Sequence, residues 1–181
     1  LPLPANAKPW TPYGMLRPSR GNATGNPDGL SATCETVEKR GWERRYHHVL
    51  YILDGNGNQV AYYKDHDKDF EGFCGRGPHK IKMSPYDPEK HVWVIDDQLH
   101  LIHEYTYDMS KEVLTLGTKT KRGRDAGVLF DRPTDIDWLP DGTFFISDGY
   151  GGTRVAKFDK DGKFLMDWGG PPKDPNNPGP N

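Results

Sequence analysis

The sequence predicts an all-β protein of β-propeller type: a partial ring of about three four-stranded blades, the first of them incomplete. Three observations carry this. Gly and Pro supply 21 and 16 of the 181 residues, and aromatics reach 12%. That mix breaks up long helices and favours short strands joined by tight turns. A strand–turn–strand outline recurs at residues 49–63, 101–117 and 154–169, each with Gly, Asn or Asp in the turn, where hairpins need them. The second and third hairpins are each preceded by another, and the apolar run of 91–96 returns at 143–148 with its closing aspartate in register (Asp96, Asp148).

Taken in order, 49–53 and 59–63 read as the outer strands of a first blade around the turn 55–58. Residues 78–83, 91–96, 101–106 and 112–117 read as a complete second blade. Residues 133–138, 143–148, 154–159 and 163–169 read as a third, with turns at 140–142 and 160–162. Both outermost strands end in glycine, Gly117 and Gly169. A β-sandwich has similar turn spacing, but the register of the aspartates and terminal glycines favours four antiparallel strands per repeat. Residues 1–45 carry no clean period and read as an extended arm and loop of the first blade, with Gly14-Met15-Leu16 the one short strand candidate. Residues 46–170 form the blades, and 171–181 are a Pro/Gly-rich tail or linker. Three blades leave open edges. Another propeller segment, a second copy or a partner protein is therefore expected to cover them.

Composition excludes some functions. Lys plus Arg is 24 against 26 acids, a net charge of −2, so no basic excess exists to hold a nucleic-acid backbone. Val92-Trp93-Val94-Ile95 is far short of a membrane span. The start Leu-Pro-Leu-Pro and the sequon Asn22-Ala23-Thr24 fit a secreted or periplasmic protein, in which Cys34 and Cys74 would be free to bridge. Asp65-His66-Asp67-Lys68-Asp69-Phe70-Glu71 spaces its acids as a calcium loop does. Phe70 and Arg76 stand where such a loop needs Gly and Glu, so a solvated charged loop is expected. Asp148-Gly149-Tyr150-Gly151-Gly152 is glycine-rich but precedes a strand, and offers no helix-end phosphate site.

The blades resemble the NHL repeat, and within that group the six-bladed propellers of the peptidyl-α-hydroxyglycine α-amidating lyase family. The likeness rests on Gly77-Pro78-His79-Lys80-Ile81, Val92-Trp93-Val94-Ile95-Asp96, Leu114-Thr115-Leu116-Gly117, Arg132-Pro133-Thr134-Asp135-Ile136 and, above all, Ser147-Asp148-Gly149-Tyr150. It implies a metal-dependent lyase that cleaves peptidyl-α-hydroxyglycine to a peptide amide and glyoxylate, with zinc held by histidines of different blades and calcium held by oxygens. By that resemblance His79 is a zinc ligand, the Ile81 carbonyl faces calcium, and Tyr150 is the catalytic tyrosine. Arg40 matches the family's Arg-Gly pair, though Arg17 and Arg20 lie in a comparable region. No histidine follows His103, and one histidine cannot hold a catalytic zinc, so the zinc site is expected to be incomplete in this chain. His100 and His103 read as blade-packing residues. The alternative function is a non-catalytic propeller segment, a binding or assembly module.

Overall fold

The computed structural model describes residues 49–70, 78–125 and 128–170, together with the backbone of 15–18. These form three antiparallel sheets. The first has the order β1-β2-β3, with β1 Met15–Pro18, β2 Leu50–Leu53 and β3 Gln59–Tyr62. The second has the order β4-β5-β6-β7: Lys80–Lys82, Val92–Asp96, Leu101–Tyr105 and Glu112–Gly117. The third runs β8 to β11: Asp135–Trp138, Phe144–Asp148, Arg154–Phe158 and Phe164–Gly169. Each is a meander of neighbouring strands, so the expected propeller blades are present, two of them complete. Among the described residues no helix is long and apolar enough to cross a membrane. Arg40, Cys34 and Cys74 lie outside the described residues, as do the arm and the tail.

The repeat is visible in the turns. In the first and third sheets an aspartate closes the outer hairpin by accepting two backbone N–H groups. Asp54 Oδ1 takes those of Asn56 and Asn58, both at 2.9 Å. Asp159 Oδ1 takes those of Asp161 and Lys163 at 3.0 and 2.8 Å. In the second sheet Thr106 holds that position, and Asp108 supplies the acceptor from inside the turn, to Ser110 N at 3.0 Å. All three hairpins then carry a bulge at the same place, beside Leu53, Tyr105 and Phe158, which strengthens the local twist. Gly117 and Gly169 end their strands at φ 97° and 91°, and a Cβ would sit 2.2 Å from His100 O at the first and 2.8 Å from Thr153 O at the second.

Strand alternation decides where the core lies. Val92 and Val94 of β5 face the first sheet and meet Leu50, Ile52, Phe70 and Tyr105. Trp93 and Ile95 face the third sheet and meet Ile136, Trp138, Phe144 and Phe158. All five residues of β5 are therefore buried. In β9 and β10 burial alternates, because Phe145, Val155 and Lys157 point to the far face, where Met166 and Trp168 of β11 stand about half exposed. Phe144 and Phe158 stack at 5.2 Å and are fully buried.

One expectation is overturned. Residues 64–70 are not a solvated loop but a 3-10 helix, Lys64–Phe70, with Asp67 and Phe70 buried. The acids found partners. Asp67 accepts from Val49 N at 3.1 Å and from the Tyr62 hydroxyl; Asp69 accepts from Tyr105 Oη at 3.1 Å and pairs with His66 Nδ1 at 2.9 Å. The helix thereby pins the first sheet to the second. His103 is buried, bonded to Glu112 at 2.5 Å and stacked on Tyr105, as a packing histidine should be.

Two fully buried aspartates end equivalent strands. Asp148 is paired with Arg154 Nε at 3.0 Å, both side chains fully buried. Arg154→Met strands a buried carboxylate, and is expected to cost about 3–5 kcal/mol in urea denaturation, most of it regained in the double variant D148N/R154M. Asp96 has no such cation. Its Oδ1 accepts from Gln98 N and Leu99 N, but its Oδ2 has no partner among the described residues. Burial pushes its carboxyl from the ordinary 3.8 up to about 7, against the pull of those two N–H groups. The folded state thus keeps a proton that the unfolded chain releases. The associated stability is full below about pH 4 and is lost as the pH rises through about 7. Asp96→Asn keeps the Oδ1 bonds and carries no charge. Its stability relative to the parent should rise between pH 4 and 7, by roughly 1–3 kcal/mol, and stay level above. A pH-independent difference would refute the burial account.

Candidate functional site

The site forms where the N-terminal end of β4 meets the loop after β9. His79 precedes β4 and donates its backbone N–H to Ile95 O at 2.6 Å. Its Nδ1 lies 3.1 Å from Thr134 O and its Nε2 lies 3.3 Å from Tyr150 Oη. A carbonyl only accepts, so Nδ1 carries the proton and Nε2 presents its lone pair towards the phenol. Thr134 is itself fixed, since its N–H and hydroxyl both reach Ser147 O, at 2.8 and 3.1 Å.

The glycine-rich loop has a packing origin. Gly151 N and Gly152 N both donate to Asp131 O, at 3.0 and 2.9 Å, while Asp131 N donates to Asp148 Oδ1 at 2.8 Å. A Cβ on Gly151 would lie 2.4 Å from the Asp131 carboxylate carbon, and one on Gly152 would lie 2.2 Å from that of Asp148. A side chain at Gly152 would collide with the fully buried Asp148 carboxylate, and one at Gly151 would have to displace the Asp131 carboxylate. Tyr150 projects from that loop, more than half exposed, with its ring edge-on to His79 at 5.7 Å.

Arg132 is the group that the sequence reading missed. Its guanidinium lies 4.2 Å from the centre of the Tyr150 ring, a cation–π distance. It is anchored by Asp97, which is 1% exposed, through Nη2 at 2.6 Å and Nε at 3.2 Å. The Arg132 backbone is held at φ 68° and its N–H donates to His100 Nδ1 at 3.1 Å. That bond needs a neutral acceptor ring, and burial, the largest influence on His100, lowers its pKa accordingly. Arg132-Pro133 stands in the most specific motif of the chain, but only the folded loop puts its head over Tyr150.

Ile81 sits mid-strand in β4, opposite Val94, with its side chain packed on the core shared with the first sheet. Among the described residues no further strand of its own sheet lies beyond β4. Of the two flanking cations, Lys80 pairs with Asp135 at 3.6 Å, and Lys82 Nζ donates to Ile136 O at 2.7 Å and pairs with Asp135 and Asp137 at 3.2 and 3.5 Å. These bonds tie the edge strands β4 and β8 together. The residues around His79 fit a metal only in part. His79 Nε2 has the tautomer that a metal needs. Yet among the described residues no second His, Cys, Asp or Glu joins it in a group of three possible ligands.

No family model matches the chain. It is 33% identical over 94 residues to peptidyl-alpha-hydroxyglycine alpha-amidating lyase 1 of Drosophila melanogaster, covering 51% of this chain and 16% of the relative. It is 36% identical over 95 residues to peptidyl-glycine alpha-amidating monooxygenase of Mus musculus, covering 51% and 9%. It is 31% identical over 96 residues to alpha-amidating lyase 2 of Drosophila melanogaster, covering 53% and 23%. The match spans less than a quarter of each of these relatives. Over half its length, in a fold of propeller blades, the chain resembles the peptidyl-α-hydroxyglycine α-amidating lyases.

Proposed function

We propose that the chain is part of a lyase-type propeller that cleaves the C–N bond of a peptidyl-α-hydroxyglycine to give a peptide amide and glyoxylate. The observation that carries the reading is the His79–Tyr150 contact: two residues 71 apart in sequence, each assigned a site role by the resemblance alone, approach within 3.3 Å, Nε2 to Oη. In this reading Tyr150, its phenol proton first released to solvent, takes the hydroxyl proton of the substrate as the phenolate. The C–O bond becomes a carbonyl as the C–N pair leaves with the amide nitrogen, which takes a proton in turn. Arg132 holds the Tyr150 ring, with a positive charge beside the developing negative one. His79 is one zinc ligand through Nε2, and the remaining ligands come from another segment or copy. Zinc, when bound, would supply Lewis-acid stabilisation of the substrate oxygen. Calcium at the Ile81 carbonyl and Arg40 as the family arginine belong to the same proposal, which rests there on the resemblance alone. A secreted or periplasmic location fits a peptide substrate.

A second reading, a binding or assembly module, is favoured by one observation. The far face of the third sheet carries Phe145, Val155, Met166 and Trp168, with the last two half exposed. A partner blade of another segment or copy would cover this face.

The readings separate by experiment in the native assembly. Under the lyase proposal His79→Ala abolishes stoichiometric zinc. Tyr150→Phe keeps zinc but lowers glyoxylate release about 10²–10⁴-fold. Arg132→Met keeps zinc and lowers kcat at least about tenfold. Absence of both zinc and turnover in the unmutated assembly would leave only the module reading.

A further inference from the structure

A second group of ligand-type side chains lies at the other end of the β4–β5 pair. Lys80 pairs with Ile95, which puts His79 level with Asp96, whereas His91 stands five residues before Asp96, just ahead of β5. At about 3.3 Å per residue that places the two histidines roughly 16 Å apart along the strand. Asp87 lies in the turn between β4 and β5. Its carboxylate is fixed by backbone, Oδ1 accepting from Glu89 N at 2.9 Å and Oδ2 from His91 N at 2.8 Å. The same Oδ2 meets His91 Nδ1 at 2.8 Å. Glu104 comes from β6, opposite Trp93, and so shares the face on which His91 stands two residues earlier. Its Oε1 is 3.6 Å from His91 Nδ1, and among the described residues its carboxylate accepts no hydrogen bond. One nitrogen thus faces two carboxylates, and one ligand atom from each of the three residues lies within 4.8 Å of the others.

We propose that Asp87, His91 and Glu104 bind a divalent first-row transition metal. The donor set is one imidazole and two carboxylates, which suits zinc, manganese, iron(II) or cobalt; calcium and magnesium prefer oxygen alone, and copper(I) prefers sulfur. Glu89 supplies the outer partner. Its Oε2 lies 3.3 Å from His91 Nε2, so it accepts a hydrogen bond from Nε2–H when Nδ1, its own proton passed to solvent, binds the metal. The two facing carboxylates repel each other around a single imidazole, and a cation relieves that repulsion. The group lines a cleft of about 290 Å³ between the second and third sheets, walled by Trp93 and Trp138. Positions on the metal not taken by protein would therefore open to this cleft.

The site does not depend on the lyase reading, and its test separates the two. Cobalt(II) titrated into the His79→Ala variant should bind one equivalent and quench the emission of the cleft tryptophans. Glu104→Gln and His91→Gln, each made in that background, should weaken binding at least about tenfold. If Glu104→Gln fails to fold, as judged by its thermal melt, His91→Gln alone decides. Absence of cobalt binding to His79→Ala overturns the proposal, as does unchanged affinity in the ligand variants. Loss of zinc or turnover at the other end of the strands leaves it standing.

Discussion

The buried pair of Asp148 and Arg154 is the contact on which the site depends. Arg154 reaches Asp148 with Nε, Arg124 O and Asp167 with Nη1, and Leu129 O with Nη2. It therefore gathers β9, β10, β11 and the loop that follows β7. Burial outweighs the arginine's pull and leaves the Asp148 carboxyl above its ordinary range, so the pair is not an obvious net gain in stability. What it provides is position. Through Asp131 N it fixes the acid around which Gly151 and Gly152 fold, and from that turn Tyr150 extends to His79. A site residue that is more than half exposed is thus held by a group with no exposure at all.

The blades were legible because the features that encode them are local. The Asp54 and Asp159 turns bond within four residues, and a terminal glycine such as Gly117 is demanded by the strand beside it. The segment 64–70 misled because its acids look solvated in sequence, whereas Asp67 and Asp69 are satisfied by Val49, Tyr62 and Tyr105. No local pattern carries those partners. His79 and Tyr150 were chosen by resemblance, and the structure brings them together. Arg132 was quoted in a motif and left without a role, since its placement needs a left-handed backbone and an anchor, Asp97, from another sheet. The group around His91 escaped notice for a similar reason: Glu104 arrives by strand register and not by spacing.

The second and third sheets share more than their apolar interface. Lys82 crosses from β4 to the Ile136 carbonyl and two acids of β8, Thr134 of the third sheet's leading loop holds the His79 ring, and Arg132 of the same loop grips Asp97 of the second sheet. The relative placement of His79 and Tyr150 is therefore set by polar bonds along the inner edge as well as by Trp93, Trp138 and Phe144 packed edge-on and tilted behind it.

The burial of every residue in β5 has an evolutionary side. A strand with one open face lets half its positions drift, and β9 and β10 have that freedom at Phe145, Val155 and Lys157. In β5 both faces are spoken for, by the first sheet at Val92 and Val94 and by the third at Trp93 and Ile95. A change there must be answered in one neighbour or the other. β5 should therefore change more slowly than β9 or β10, whatever chemistry the loops at its two ends acquire.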